Sequence, residues 1–260
     1  MNRTIGLALL LPALACAADF KIEAGLLTTA YDYTETQGPI VLDTEDSSFG
    51  DIKGGYARFS MDLFENAQGG TDGFEVYLSR TTGDTKYTGS YIGSGLPYGS
   101  VISNTENDFT DLQANYTRSL PVGPMEGLVR LGVGYHEWVR TLSALQEETY
   151  YWYYAQAGVA LEQSIYKSWT LGLDFTVQYA LYKQMDATSP TLNATFDLGK
   201  TYTLRTGIPM NIPITDALTL TLRAEYEFTS IGHSDFVLGY YEPDSEQKNW
   251  NLSAGMSYRF

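Results

Sequence analysis

Apolar and polar residues alternate with a period of two along most of this chain. Over 248–260, Trp250, Leu252, Ala254, Met256, Tyr258 and Phe260 share one face. Asn251, Ser253, Gly255, Ser257 and Arg259 share the other, which is polar and mostly small. That spacing puts successive side chains on opposite sides of a β-strand lying between two different media. The run is about twice as long as a typical soluble-sheet strand of roughly 5–6 residues. Similar alternation predicts strands over 20–33, through 64, 74–80, through 118, 129–136, 151–162, 169–181, 196–212 and 218–228. In 169–181, Trp169, Leu171, Leu173, Phe175, Val177, Tyr179 and Leu181 oppose Thr170, Gly172, Asp174, Thr176 and Gln178. Residues 74–80 give the weakest of these patterns, fading near Arg80.

The links fall into two kinds. Short ones follow the second, fourth, sixth and eighth predicted strands, and the others are generally longer, the largest insertion being 82–107. An even number of about ten strands with this asymmetry predicts an antiparallel up-and-down barrel, with short turns and both termini at one end. After the first 18 residues no apolar run approaches the roughly 20 residues of a membrane helix, so a membrane-embedded form must be a closed barrel that leaves no backbone group unpaired in lipid. The all-β expectation is one domain over 19–260. Residues 1–18 read as a secretory signal peptide: Arg3, an apolar stretch over 5–15, then small residues up to Ala18. Lipidation at Cys16 is the competing reading of that segment.

Composition narrows the function classes. Cys16 is the single cysteine, so removal of the signal leaves no disulfide and no cysteine metal site. The formal charge is −15, and one unit more negative without Arg3, which argues against a nucleic-acid partner. The 21 Tyr and 25 Gly suit interfacial aromatic girdles and crowded turns respectively.

The closing pattern resembles the last strand of bacterial outer-membrane β-barrel proteins. That resemblance implies an outer-membrane location, and contact with outer-membrane lipids and lipopolysaccharide. It also implies that Trp250, Leu252, Tyr258 and Phe260 form a signal read by the barrel-assembly machinery. Three segments, Leu-Gly-Val-Gly-Tyr at 131–135, Leu-Gly-Leu-Asp-Phe at 171–175 and the final ten residues, are loosely similar to the ten-stranded omptin proteases. Omptin chemistry needs a close acidic pair facing an Asp-His couple at the extracellular rim. Asp84 stands alone after the third predicted strand, and Asp186 has no His beside it, so neither dyad carries over. The spaced His and Ser of the lipid A deacylases are not found either.

On the polar faces, Arg130, Glu162, Asp174, Arg205, Arg223, Glu225 and Arg259 are the expected lumen network. Strand pairing across the turns predicts Arg130 near Glu162 and Arg205 opposite Glu225, with Asp111 as a further lumen charge. Long side chains of both signs are expected largely to fill a lumen of this width. His136 is expected to bond a lumen neighbour. His233-Ser234-Asp235 is expected to be solvated loop, because three consecutive residues rarely converge as a triad. The acidic loops (Asp43, Glu45, Asp46 and Asp51; Asp235, Glu242, Asp244 and Glu246) lack calcium-loop spacing and are expected to be solvated surface. The aromatic segments at 87–98 and 150–154 are expected at the membrane interface. No cofactor or metal is expected. The function expected is that of a non-enzymatic surface or structural barrel, in adhesion or envelope integrity, with an extracellular ligand reached through the loops. A narrow channel for small solutes, and an omptin-like or lipid A-modifying rim enzyme, are the alternatives.

Overall fold

A computed structural model describes residues 19–90, 97–190 and 192–260; the expected signal segment over 1–18 lies outside them, as do residues 91–96 of the long insertion. The strands are β1 (Phe20–Gln37), β2 (Ile40–Asp46), β3 (Ile52–Glu65), β4 (Thr71–Gly89), β5 (Val101–Val122) and β6 (Met125–Ser143). They continue with β7 (Gln146–Tyr166), β8 (Trp169–Thr188), β9 (Asn193–Asp197), β10 (Thr201–Pro213), β11 (Leu218–Ile231) and β12 (Asp244–Arg259). Ten of them form a closed antiparallel barrel, and β12 seals it against β1 along a register from Lys21↔Arg259 to Thr36↔Asp244. The remaining two are short and extend the wall. Above the start of β3, β2 takes its place between β1 and β4. At the same end, β9 pairs the upper part of β8, beyond where β10 does.

The alternation sets which medium each face meets. Leu26, Leu131, Val133, Val159, Leu173, Leu181 and Ile208 point outward and are exposed, as a lipid-facing belt requires. Outward aromatics bracket that belt, with Tyr153, Tyr182 and Trp250 at one level and Tyr166, Tyr258 and Phe260 at the other. The start of β1 and the end of β12 meet at the short-turn end, where the Phe260 amide donates to the Phe20 carbonyl at 3.0 Å. In outer-membrane barrels that end faces the periplasm.

The strands from β4 to β8 run past the ends their hydrophobic pattern predicts, β4 and β5 the furthest. β4 does not fade at Arg80 but runs to Gly89, and β5 begins at Val101 and spans 22 residues. A membrane crossing takes only about 9–11 residues, so the excess stands in the external medium. There both faces are wet, and Thr82, Asp84 and Lys86 outside are hardly less polar than Thr81, Gly83 and Thr85 inside. The period-two contrast therefore vanishes although the strand continues. For the same reason the loop expected over 142–148 shrinks to the turn between Ser143 and Gln146.

Candidate functional site in the lumen

The lumen has two tiers. The outer one begins with inward side chains of the protruding wall. Trp138 on β6 stacks on Tyr150 of β7 (centroids 4.5 Å apart) and on Phe109 of β5 (5.8 Å), and Tyr31 and Tyr33 of β1 close against it. Tyr33, Trp138 and Tyr150 have no exposed surface. The Trp138 indole donates to Asn107 Oδ1 at 2.7 Å, and the Asn107 amide to Thr85 Oγ1 at 2.9 Å. Thr85 donates to Glu45 at 2.6 Å.

Above this aromatic layer lies Arg140, two residues along the inward face of β6 and 1% exposed. Its Nε donates to Glu45 Oε1 at 2.7 Å and its Nη1 to Glu148 Oε2 at 2.9 Å, with Asp43 Oδ2 at 3.5 Å from Nη2. Its guanidinium also sits 4.8 Å from the Tyr33 ring centroid. Five carboxyl groups share this one cation, since Glu35 and Glu242 complete the niche. Burial, then the neighbouring Glu148, pushes the Glu242 carboxyl up to about 8, and burial, then Asp43, raises that of Glu35. Glu242 holds its loop down by accepting from the Tyr150 hydroxyl at 2.6 Å.

Below Trp138 the lumen opens. A cavity of about 540 Å³ extends from Tyr31, Phe109 and His136 down to the turn residues Ser168 and Asp216 at the short-turn end. Its upper wall carries Asp111, which accepts from Tyr154 at 3.0 Å and from Arg205 Nη2 at 3.3 Å, with His136 Nδ1 at 3.4 Å. Tyr154 reaches Asp111 by crossing β6 where Gly134 leaves space. A Cβ on Gly134 would lie 2.3 Å from the Tyr154 ring. Lower down, Arg223 clamps Asp174 through two bonds of 2.6 and 2.8 Å and also donates to Glu225 at 2.7 Å. Arg58 and Arg130 both face Glu75, at 3.5 and 3.8 Å.

All seven residues of the expected lumen network line this cavity, but two pairings differ from expectation. Arg205 pairs across from Glu227 and bonds it, while Glu225 lies opposite Gly207 and goes to Arg223. Arg130 lies opposite Gly158 and approaches Glu75; Glu162 sits across from Glu126 and accepts from Asn211 at 3.3 Å. Both differences come from where the hairpins turn. The β10–β11 and β6–β7 turns are centred one or two residues away from the expected points, which slides each register by an even number and preserves the face. Arg259 remains exposed, 3.6 Å from Asp62.

Three other expectations are corrected. Asp43, Glu45 and Glu242 are buried around Arg140 rather than solvated, because β2 joins the wall with the first two side chains inward and Glu242 of the last loop reaches Tyr150. Tyr150, Trp152 and Tyr154 face inward as core, not outward as a girdle. Below Trp138 the lumen is hollow rather than filled. As for the chemistry-bearing residues, Asp84 and Asp186 lie on the outward faces of β4 and β8. His233 Nδ1 is 3.1 Å from Asp244, and the Ser234 hydroxyl donates to the Asp235 carbonyl. Arg140, Trp138 and Asn107 escaped sequence reasoning altogether. Their one signal was an Arg and a Trp two residues apart, beyond the end of a predicted strand.

No family model matches the chain, and no curated protein resembles it in sequence. In three dimensions it is similar to the outer membrane protease OmpT from Escherichia coli, with a TM-score of 0.56 and 11% identity over 94% of this chain and 96% of that one. It is also similar to the transport unit of the autotransporter AIDA-I from Escherichia coli (TM-score 0.48, 9% identity, 96% and 92% covered). The translocator domain of the autotransporter NalP from Neisseria meningitidis gives a TM-score of 0.46 at 12% identity, with 93% and 88% covered. At these identities the likeness is one of fold. The protein has the fold of an integral outer-membrane β-barrel, and its resemblance to the omptins is loose.

Proposed function

We propose that the protein is a non-conducting barrel of the bacterial outer membrane that works at the cell surface, through the external wall raised above the lipid, in adhesion or envelope integrity. The observation that carries this reading is the dry outer tier. A path through the lumen would have to pass Trp138, Tyr33, Tyr150 and Arg140, none of which is more than 1% exposed. An ion crossing that layer would exchange its hydration for ring faces and a guanidinium already bonded to carboxylates. The wall above it, by contrast, offers apolar and aromatic side chains to the outside at Ile40, Tyr98, Ile102 and Leu145. Loops held on a rigid barrel are where such proteins carry recognition. An enzymatic role of the omptin type finds no support in Asp84 and Asp186, which point away from any common site.

Planar-bilayer recording of the refolded barrel tests closure. Silence at neutral pH is expected, and steady single-channel steps would overturn the reading in favour of a solute channel. Display on cells tests the surface role. Replacing Ile102 and Leu145 by Ser should reduce surface attachment while leaving heat-modifiable gel mobility intact, and unchanged attachment would remove adhesion from the proposal.

A further inference from the structure

Six arginines line or cap the lumen; Arg259 stands exposed at its rim, and three of the others are hydrogen-bonded to carboxylates. Arg140, Arg205 and Arg223 each donate at least two hydrogen bonds to carboxylates. Arg58 and Arg130 are different. Among the described residues neither has a hydrogen bond to a side chain, and the Nε of each is a buried donor without a partner. Their shared carboxylate, Glu75, lies 3.5 and 3.8 Å away and is itself bonded by Asn115. Glu23 is 4.0 Å from Arg58 and is taken by the Tyr56 hydroxyl at 2.8 Å. The Tyr77 ring, 5.3 Å from the Arg58 guanidinium, packs against it at the lumen wall. Two guanidiniums therefore share one carboxylate through their Nε sides, and both side chains, 22% and 20% exposed, line the cavity.

The same cavity also holds the reverse arrangement. There Asp174 and Glu225 share the single guanidinium of Arg223, with Asn251 donating to the other Glu225 oxygen at 3.5 Å, so the group carries one excess negative charge. Arg58, Arg130, Asp174, Arg223 and Glu225 line the same cavity, so the two half-sites belong to one compartment. That compartment reaches the short-turn end and stops at Tyr31 and Phe109. A ligand matching it must come from the periplasm, carry one carboxylate for the arginine pair and one ammonium for the acidic pair, and have no net charge. Free anions are poorly suited, since the cavity walls carry more acids than bases. Guanidinium groups take a carboxylate through paired hydrogen bonds, and the acid excess of the walls disfavours oxyanions of higher charge.

We propose that the inner half of the lumen is a blind, periplasm-facing pocket for a small zwitterion, an amino acid or a short peptide, with Arg58 and Arg130 receiving its carboxylate. Calorimetric titration of the full refolded chain in detergent at neutral pH tests it, with alanyl-alanine as probe and acetate and methylammonium as single-charge controls. Saturable heat is expected for the dipeptide, and at least tenfold weaker binding for either control. R130Q should weaken the dipeptide tenfold or more with heat-modifiable mobility retained. E75Q, which frees the arginine pair, should instead strengthen acetate binding, and this opposite sign separates a built site from a damaged fold. No saturable heat with the dipeptide, acetate binding as tightly as the dipeptide, or E75Q leaving acetate unchanged would each overturn the proposal.

Discussion

The two halves of this lumen meet the same difficulty, charge inside a narrow barrel, in different ways. In the inner half, Arg223, Asp174, Glu225, Arg58 and Glu75 line a cavity of about 540 Å³, where water can complete whatever hydrogen bonds the protein leaves open. In the outer half, Arg140 lies in a dry setting of tyrosines and a tryptophan, with only protein groups for partners. The wall itself continues through both tiers, β2 standing between β1 and β4 above the start of β3 and β9 pairing β8 beyond β10, so what differs is access of water. The cost of breaking an ion pair should follow that division, since a buried charge stripped of its partners has no solvent to fall back on.

Arg140 should give the largest effect. R140M leaves Glu45, Glu148 and Asp43 buried without their cation, and breaking a buried pair this way costs about 3–5 kcal/mol. R223M strands Asp174 and Glu225 beside the cavity, where the loss of charge-assisted hydrogen bonds should come to about 1.5–3 kcal/mol. Urea unfolding of both variants in the same micelle measures the difference. Equal losses would break the contrast between a dry and a wet tier.

Next comes Trp138. W138A removes a fully buried side chain and its bond to Asn107, and should cost about 3–5 kcal/mol less whatever the layer recovers by collapsing. The more telling readout is electrical. With the stack between Phe109 and Tyr150 gone, the inner cavity would run up to Arg140, and intermittent conductance should replace silence. A W138A barrel that folds and stays silent would assign closure to the Arg140 niche alone.

How much of this could be read in the sequence follows the same boundary. Where lipid lies outside and polar groups inside, the contrast between faces is steep, so Trp169 to Leu181 and Trp250 to Phe260 declare strand, face and belt together. Above the lipid both media are aqueous and the contrast disappears, which hid the upper ends of β4 to β8. That is where the aromatic layer and Arg140 sit. Asp43 and Glu45 looked like solvated loop because nothing local tells an acidic strand built into a barrel wall from a segment in water; their cation is 95 residues away from Glu45 in sequence. Lumen residues were legible one by one, since face alone assigns them. Their partners were not, because a turn displaced by a single residue moves Arg205 from Glu225 to Glu227 without changing either side chain's face.

Acidity sharpens the picture of the outer tier with a smaller effect. Glu242 faces Tyr33 and Glu35 from β1, Asp43 from β2, Arg140 from β6, and Glu148 and Tyr150 from β7. Its folded-state pKa of about 8 lies above the ordinary 4.5, so between those values the unfolded chain has lost a proton that the folded one keeps. Stability should therefore decline as pH rises through that window and level off above about 8. This is the reverse of a salt-bridged carboxylate. E242Q, neutral throughout, should flatten that part of the curve in urea unfolding between pH 5 and 9 while keeping a partner for the Tyr150 hydroxyl. An unchanged slope in E242Q would shift the titration to Glu35.

The smallest effect belongs to the far end. Arg259 and Asp62 stand 3.6 Å apart at the short-turn rim, with side chains 60% and 42% exposed. In that setting an ion pair gains little over two solvated charges and is screened by salt, so R259Q should cost no more than about 1 kcal/mol. Added salt should erase even that, while leaving the loss from R140M in place because its carboxylates lie beyond the reach of counterions. Unfolding of R259Q and R140M at low and high salt thus compares the two ends of the barrel directly. A salt-sensitive loss in R140M would mean that water already reaches the outer tier, and the division between a dry mouth and a wet chamber would fall.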